Sequence, residues 1–317
     1  MLSVCKSLVV LLVFSFCLTS VSIAASASAS VGTWKTAQTI QPFFYNDFLP
    51  EEFKIQVRTF TNPADQKTVL LAGSLDMTGT TLAHAIHSAS QGQPIVIVAA
   101  LCNKCSALIV GKNSNIQSEK DLKGKTIGYV PGTMHEILLR ETLERNGLSP
   151  EKDVFLLRVD FFDMGTALAR GSIDAFLSGE PFPTLAVQQG YGRVLSYPYF
   201  DNSVGAINAG MIVRRDTIEN NPELVTQLVT SHAKATEYLN QNQNIWLKSA
   251  SRFGVPLETL KMAAGNMELS WKMDDAFVRQ VRVLGERMEH LGLIAKQPEY
   301  SKLFDLRFVH QAEKSLQ

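Results

Sequence analysis

The run Asp121-Leu122-Lys123-Gly124-Lys125-Thr126-Ile127-Gly128-Tyr129-Val130-Pro131-Gly132-Thr133-Met134-His135-Glu136 spells a strand, a tight glycine loop and the start of a helix. Thr126–Val130 is short and β-prone, and Pro131-Gly132 breaks it. Thr133 offers an N-cap hydroxyl, and Glu136 follows at the capping-box spacing. The helix predicted from Met134 to Asn146 carries Leu138, Leu139 and Leu143 on one arc, stops at Gly147 and is closed off by Pro150. Free N–H groups and the positive end of a helix dipole make such a turn a place for an anionic or acceptor-rich ligand group.

Outward from this unit, strand and helix signals alternate as in parallel α/β sheets. On the N-terminal side, Phe53–Phe60, Asp76–Thr80 and Pro94–Leu101 read as strands, the last (PIVIVAAL) apolar enough to be buried on both faces. On the C-terminal side, Val154–Val159, Asp174–Leu177, Arg193–Tyr197 and Ala209–Val213 read as strands, and beyond them the pattern is helical. Leu71-Ala72-Gly73-Ser74-Leu75-Asp76-Met77 is echoed by Leu168-Ala169-Arg170-Gly171-Ser172-Ile173-Asp174-Ala175. Each closes a helix on glycine and starts a strand on aspartate, at the same step of its series, which points to two equivalent halves.

Lys6 followed by the apolar run Ser7–Leu18 and the small residues Ser22–Ala27 reads as a secretory signal peptide over 1–25. The run is short for a membrane span, and Phe16 before Cys17 argues against a lipoprotein site. The chain has 30 basic and 30 acidic residues, so it gives no electrostatic reason to expect nucleic acid or an anionic membrane as partner. After processing, of four cysteines only Cys102 and Cys105 remain, which excludes a disulfide scaffold.

The chain resembles the solute-binding proteins of ABC importers, in particular the family of nitrate, taurine, alkanesulfonate and thiamine-pyrimidine binders. The similarity runs through LAGSLDMTGT (71–80), GQPIVIVAA (92–100), DLKGKTIGYVPGT (121–133), NGL (146–148) and ALARGSIDAFLSGEPFPTLAVQQGYGRVL (167–195). It implies a type II periplasmic binding protein fold, two αβ lobes with a ligand cleft between them and C-terminal helices. Lobe 1 would be 30–109 and lobe 2 110–207, with 208–317 supplying a return strand and helices packed mainly on lobe 1. The chain would cross near Val110-Gly111-Lys112 and Asn208-Ala209-Gly210, and a few such residues suffice for a hinge. The resemblance further implies a monomer in the periplasm, without a cofactor, that closes on a small organic ligand and delivers it to ABC permease subunits. An alkanesulfonate-like ligand and a pyrimidine-like heterocycle both fit. A ligand sensor is the alternative for the same fold. Thiamine-pyrimidine synthases share it too, but their cysteine-rich cluster has no counterpart here, and no catalytic triad, Walker motif or carboxylate pair stands out, so no enzyme is expected.

Ligands of open α/β sheets sit beyond the carboxyl ends of the strands. That rule selects Trp34, Thr78, Thr80, Thr81 and Cys102 from the first lobe, and Gly132, Thr133, His135, Asp163 and Glu180 from the second, with Asn208 on the floor. Trp34 offers a flat wall, the threonines offer hydroxyls (Thr81 also as a helix cap), and Glu180 would receive ligand N–H groups. Phe161 and Phe162 read as packing residues. In an oxidising compartment Cys102 and Cys105 are expected to form a disulfide. The alternative is a metal site using His84 with the two thiols.

Overall fold

A computed structural model describes residues 27–61 and 63–317. The expected signal peptide lies outside them. Eleven strands follow in chain order: β1 (Ala27–Trp34), β2 (Phe53–Phe60), β3 (Met77–Thr81), β4 (Ile95–Lys104), β5 (Ser106–Gly111), β6 (Thr126–Tyr129), β7 (Phe155–Arg158), β8 (Ala175–Gly179), β9 (Gly192–Ser196), β10 (Ile207–Arg214) and β11 (Met267–Leu269). They form two sheets, β11-β4-β10-β3-β1-β2 and β7-β6-β8-β5-β9. In the first, β1 pairs in parallel with β2 and β3, and β10 is antiparallel to β3 and β4. The second repeats the plan: β6 is parallel to β7 and β8, and β5 is antiparallel to β8 and β9. Each sheet is thus a parallel α/β set with a reversed strand inserted, the first carrying β11 as a second reversed strand at its edge, and the fold is mixed α/β.

The sequence echo proves to be one hydrogen-bonded device built twice. Gly73 and Gly171 take left-handed backbone (φ 79° and 71°), as helix-ending glycines do. In the first copy Gly73 N–H donates to Leu70 O and Ser74 N–H to Val69 O; in the second Gly171 N–H donates to Leu168 O and Ser172 N–H to Ala167 O. The aspartate that follows then clasps the neighbouring strand. Asp76 Oδ2 accepts from Ser30 N–H at 2.8 Å. Asp174 Oδ2 accepts from Thr126 N–H, also at 2.8 Å. In both copies the aspartate's own N–H returns a bond to the same residue's carbonyl.

The first sheet is covered by helices from both ends of the chain. Ile95 to Cys102 is buried without a break, as its unbroken apolar run demands. The helix Asp275–His290 is capped by Asp274, whose Oδ1 accepts from Phe277 N–H at 2.8 Å, and it buries Phe277, Val281, Leu284 and Met288 at helical spacing. The helices Pro222–Gln241 and Arg307–Leu316 add Val225, Leu228, Phe308 and Val309 to the same core. Helix Gln243–Ser251 and strand β11, neither marked by a clear pattern in the sequence, pack in a smaller cluster that includes Trp246, Leu260 and Leu269.

One boundary differs from expectation. The sequence places 106–109 in lobe 1, with the crossing near 110–112, but β5 lies wholly in the second sheet, paired with β8 and β9. The passage between the sheets is at Lys104-Cys105, two non-glycine residues in left-handed backbone (φ 59° and 71°). An extended stretch on either side of so short a reversal has no composition signal of its own.

A buried polar chain ties the first lobe's N-terminal segment to its C-terminal helices. His232 Nε2 lies 2.7 Å from Ala100 O, and a carbonyl only accepts, so Nε2 carries the proton. Nδ1 therefore accepts, and the fully buried Tyr45 hydroxyl donates to it at 2.9 Å. Burial lowers the pKa of His232 from 6.5 to about 4. The unfolded chain thus takes up a proton that the folded one refuses. The associated stability is fully present above about pH 6.5 and is lost as pH falls towards 4, by up to about 3 kcal/mol. Urea midpoints for the wild type should fall over this window, and His232→Gln should flatten that part of the slope; parallel profiles would show that His232 is not the source.

Candidate functional site

The carboxyl ends of the strands in both sheets converge on a cavity of about 230 Å³. β1 runs out at Trp34, half-buried on the wall, and leads through Lys35, exposed at the rim, to Gln38. From the end of β2 comes Phe60; from β3, Thr81; from β4 and the crossing, Cys102 and Cys105. The second sheet contributes Thr133, His135, Phe161, Phe162, Gly179, Glu180 and Phe182, and Asn208 comes from the return strand. Of the residues selected from sequence, Trp34, Thr81, Cys102, Thr133, His135, Glu180 and Asn208 therefore share one cavity wall.

Thr78, Thr80, Gly132 and Asp163 are not in that wall, each for a local reason. Side chains alternate along β3, so when Thr81 reaches the rim Thr78 and Thr80 point elsewhere. Both are fully buried, with Thr78 Oγ1 against the backbone of Gly32 and Thr80 Oγ1 without a protein partner. Asp163 ends the 3₁₀ turn Phe161–Asp163, which is exposed at Asp163 while Phe161 and Phe162 line the cavity.

Gly132 is the instructive case. Its N–H, the donor expected for an anionic ligand, already donates to Glu136 Oε2 at 2.7 Å. Glu136 is 3% exposed and is held in turn by Arg140 Nε at 2.9 Å. Thr133 caps the helix as expected, its Oγ1 accepting from Glu136 N–H at 3.4 Å and donating to Val130 O at 2.8 Å. The turn thus carries its own anion: Glu136 stands at the capping-box spacing from Thr133 but reaches past that cap to the N–H of the residue before it.

Phe161 and Phe162, read as packing residues, belong to an aromatic group on the second-lobe wall. Phe161 and Phe182 stack with centroids 6.0 Å apart and planes within 8°, and Phe162 meets Phe182 edge-on at 5.0 Å. His135 stands edge-on to Phe161 at 5.7 Å, with Nδ1 3.0 Å from Ser106 Oγ. Burial lowers its pKa to about 4, so it is a neutral ring near pH 7.

Gln38 went unnoticed in the sequence, where nothing distinguishes it from other polar residues. Its Nε2 donates across the cleft to the Glu180 carbonyl at 2.6 Å, while its buried Oε1 has no protein partner. Glu180 is 3% exposed. Its carboxylate accepts from Thr184 N–H and from Asn266 Nδ2, both at 3.2 Å. Burial raises its pKa despite these bonds.

The expected disulfide is not formed: Cys102 and Cys105 are free thiols. The turn between them is pinned by other partners. Lys104 N–H donates to Ala206 O at 2.6 Å, Cys105 N–H to Asn266 O at 2.8 Å, and Glu180 N–H to Cys105 O at 2.7 Å. Asn208 Nδ2 reaches both Lys104 O (3.0 Å) and Cys105 Sγ (3.2 Å). Burial pushes the Cys102 thiol up to about 12 and Cys105 well above its ordinary value. The metal alternative fares no better, since His84 is not in the cavity wall and instead sets its Nε2 against Gly132. Among the described residues no group of three or more His, Cys, Asp or Glu is placed to hold a metal ion.

The wall is tight at Gly179, where an added Cβ would fall 2.8 Å from His135 Nε2 and 3.3 Å from Cys105 Sγ. Gly179→Ala should cost about 1–3 kcal/mol by overpacking. A urea midpoint unchanged from wild type would mean that His135 moves aside freely.

Comparison with known proteins places this geometry. The family model described as NMT1/THI5 like matches residues 48–244. A putative thiamine biosynthesis protein of Haemophilus influenzae is 24% identical over 263 residues, covering 78% of this chain and 81% of that protein. The 4-amino-5-hydroxymethyl-2-methylpyrimidine phosphate synthase of Schizosaccharomyces pombe is 31% identical over 125 residues, which are 39% of this chain and only 35% of the synthase. Among solved structures, the alkanesulfonate-binding protein SsuA from Xanthomonas axonopodis pv. citri, bound to MOPS, superposes with a TM-score of 0.78 at 18% identity, covering 89% of this chain and 99% of that one. The architecture is therefore the periplasmic binding protein fold, and since the family model spans more than half of its residues, the chain belongs to the NMT1/THI5-like family.

Proposed function

We propose that this protein is an exported, monomeric solute-binding protein of an ABC importer, which closes on a small organic molecule and delivers it to permease subunits. The observation that carries this reading is the single cavity gathered from the strand ends of both sheets, with Trp34 and Phe60 on one side and Phe161, Phe162 and Phe182 on the other. Its volume, about 230 Å³, is below the usual range for drug-sized ligands and suits a small solute. Two crossings, at Lys104-Cys105 and before Asn208, are hinge candidates for two lobes that close around it. Among the described residues no helix is long and apolar enough to cross a membrane.

Of the two ligand chemistries that the sequence allows, the aromatic walls favour the ring-shaped molecule over a sulfonate. Ring faces give stacking area, while the helix N-terminus at Thr133, which the sequence singles out for an anionic group, has its Gly132 N–H committed to Glu136. Binding is favoured over catalysis by the same wall. A thiol pushed up to about 12 is almost wholly protonated at neutral pH and makes a poor nucleophile.

Small-angle scattering should show compaction when a ring-shaped ligand found by thermal-shift screening is added, and at 100 times its Kd that ligand should stabilise the protein by about 2.7 kcal/mol. Trp34→Ala should weaken it by about tenfold or more. An unchanged scattering profile at saturation would refute lobe closure, and a Trp34→Ala variant that binds normally would move the ligand elsewhere.

A further inference from the structure

The helix that begins in the cavity wall ends in a set of charges shared with the other lobe. Helix Met134–Arg145 starts beside Thr133 and contains His135, both of which line the cavity. It packs on two cores at once. Leu138, Leu139 and Leu143 belong to the core of the second lobe. Met134, Ile137, Glu141 and Glu144 recur at helical spacing and form a separate stripe. The apolar half of that stripe, Met134 and Ile137, is buried in the first lobe's core. The acidic half meets helix Asp275–His290, which packs on the same core. Arg287 donates through Nη2 to Glu144 Oε2, and its Nε lies 3.9 Å from Glu141 Oε2. His290 Nε2 is 3.8 Å from Glu144 Oε2.

The two acids differ in what holds them. Glu141 is 3% exposed and is satisfied without the first lobe: Arg145 Nε donates to it at 2.9 Å and Ser203 Oγ at 3.1 Å. The side-chain partners of Glu144 among the described residues, Arg287 and His290, both come from the first lobe. The seam lies beside the second crossing, where Phe200 packs on the second lobe's core and Val204 in the first's. Arg145 fastens it there, 4.3 Å over the Phe200 ring and bonded to Asn202 Oδ1 at 2.9 Å. On the other helix Gln280 covers Gly205, where an added Cβ would fall 2.3 Å from its Nε2. The lobes stand together at the cleft too, with His84 Nε2 against Gly132 and Gln38 bonded to the Glu180 carbonyl. Rotation of one lobe away from the other has to pull Glu144 from Arg287 while Glu141 keeps its own partners.

From this we infer that Arg287 is a positioning residue for lobe closure. Its pair with Glu144 exists only while the lobes stand as they do here, and helix Met134–Arg145 carries that bias to the cavity wall at Thr133 and His135. The inference rests on the lobe closure proposed above and deepens it, because it names a charge that sets how much of the protein is closed before any ligand arrives. Arg287 and Glu144 are partly covered, with side chains 18% and 31% exposed, so the pair is more than a solvated surface contact and still open to screening by salt.

Spin labels on Arg58→Cys and Asp163→Cys report the distance between the lobes in the full mature chain without ligand. Both positions are exposed, next to Thr59 and Phe162 on either side of the cavity, and the native Cys102 and Cys105 are buried. The ratio of open to closed protein should rise about fivefold between about 0.01 M and about 1 M salt. Arg287→Met should raise it about fivefold to tenfold at low salt and remove most of its salt dependence, while Arg287→Lys should retain part of the closure. Glu144→Gln should match Arg287→Met, and the two together should add nothing further. The salt series needs no variant at Arg287 to fold, and a distance distribution indifferent to salt would overturn the inference. So would a folded Arg287→Met protein with a lowered urea midpoint but an unchanged open fraction, since its role would then be structural. If the thermal-shift hit still shortens the distance while salt and Arg287→Met leave it alone, lobe closure stands and this control of it falls; if none of the three changes it, closure itself fails.

Discussion

Everything in this molecule hangs on two neighbouring passages of the chain between its sheets. At the first, Lys104 and Cys105 reverse direction in left-handed backbone; at the second, Ala206 to Asn208 lead into β10. The two are bonded to each other, Lys104 N–H to Ala206 O and Asn208 Nδ2 to Lys104 O. Asn266 joins them from the C-terminal region, donating to Ser106 O and to Glu180 and accepting from the Tyr199 hydroxyl at 2.6 Å. These bonds fix where the strand ends of one sheet stand relative to those of the other. The cavity exists because of that placement, and the wall residues nearest to it, Cys105, Glu180 and Asn208, take part in the same bonds.

Much of the fold was legible because its signals are local and repeated. Glycine after a helix and aspartate before a strand recur at 73–76 and 171–174, and the structure shows why: the aspartate needs to reach a strand N–H, and the glycine lets the chain arrive in time. Apolar runs of different period separated PIVIVAAL from the amphipathic helix at 275–290. What was not legible depends on distant partners. β11 is three residues long and is a strand only because β4 is beside it. The crossing lies at Lys104-Cys105 rather than 110–112 because tertiary bonds hold two ordinary residues in an unfavourable backbone region.

The site divides in the same way. The rule that ligands sit beyond strand ends found Trp34, Glu180 and Asn208 without knowledge of their neighbours. It failed at Thr78 and Thr80, where one residue of alternation decides the face, and at Gly132, where the loop's own Glu136 answers the donor first. Phe161 packs against the second lobe's core as read and also lines the cleft, and Phe162 lines the cleft; adjacent apolar residues look alike in sequence whether they fill a core or wall a cleft. Similarity of fold to sulfonate-binding proteins settles none of these points, since the chemistry of a pocket is carried by a few side chains set on a common frame.

The insertion of β10 between β3 and β4 has a consequence for how the chain is made. The second sheet comes from one unbroken segment, Ser106 to Ser196, and has all its strands as soon as that segment is synthesised. The first sheet does not. After β4 has emerged, its partner β10 is still roughly a hundred residues away, so a strand that is apolar from Ile95 to Cys102 waits with an open seam beside it. The inner lobe can therefore assemble early, while the outer one is closed late by its return strand. For a chain of this topology the vulnerable moment is not the finished protein but the interval before β10 arrives, when the IVIVAAL strand is a ready edge for pairing with another copy.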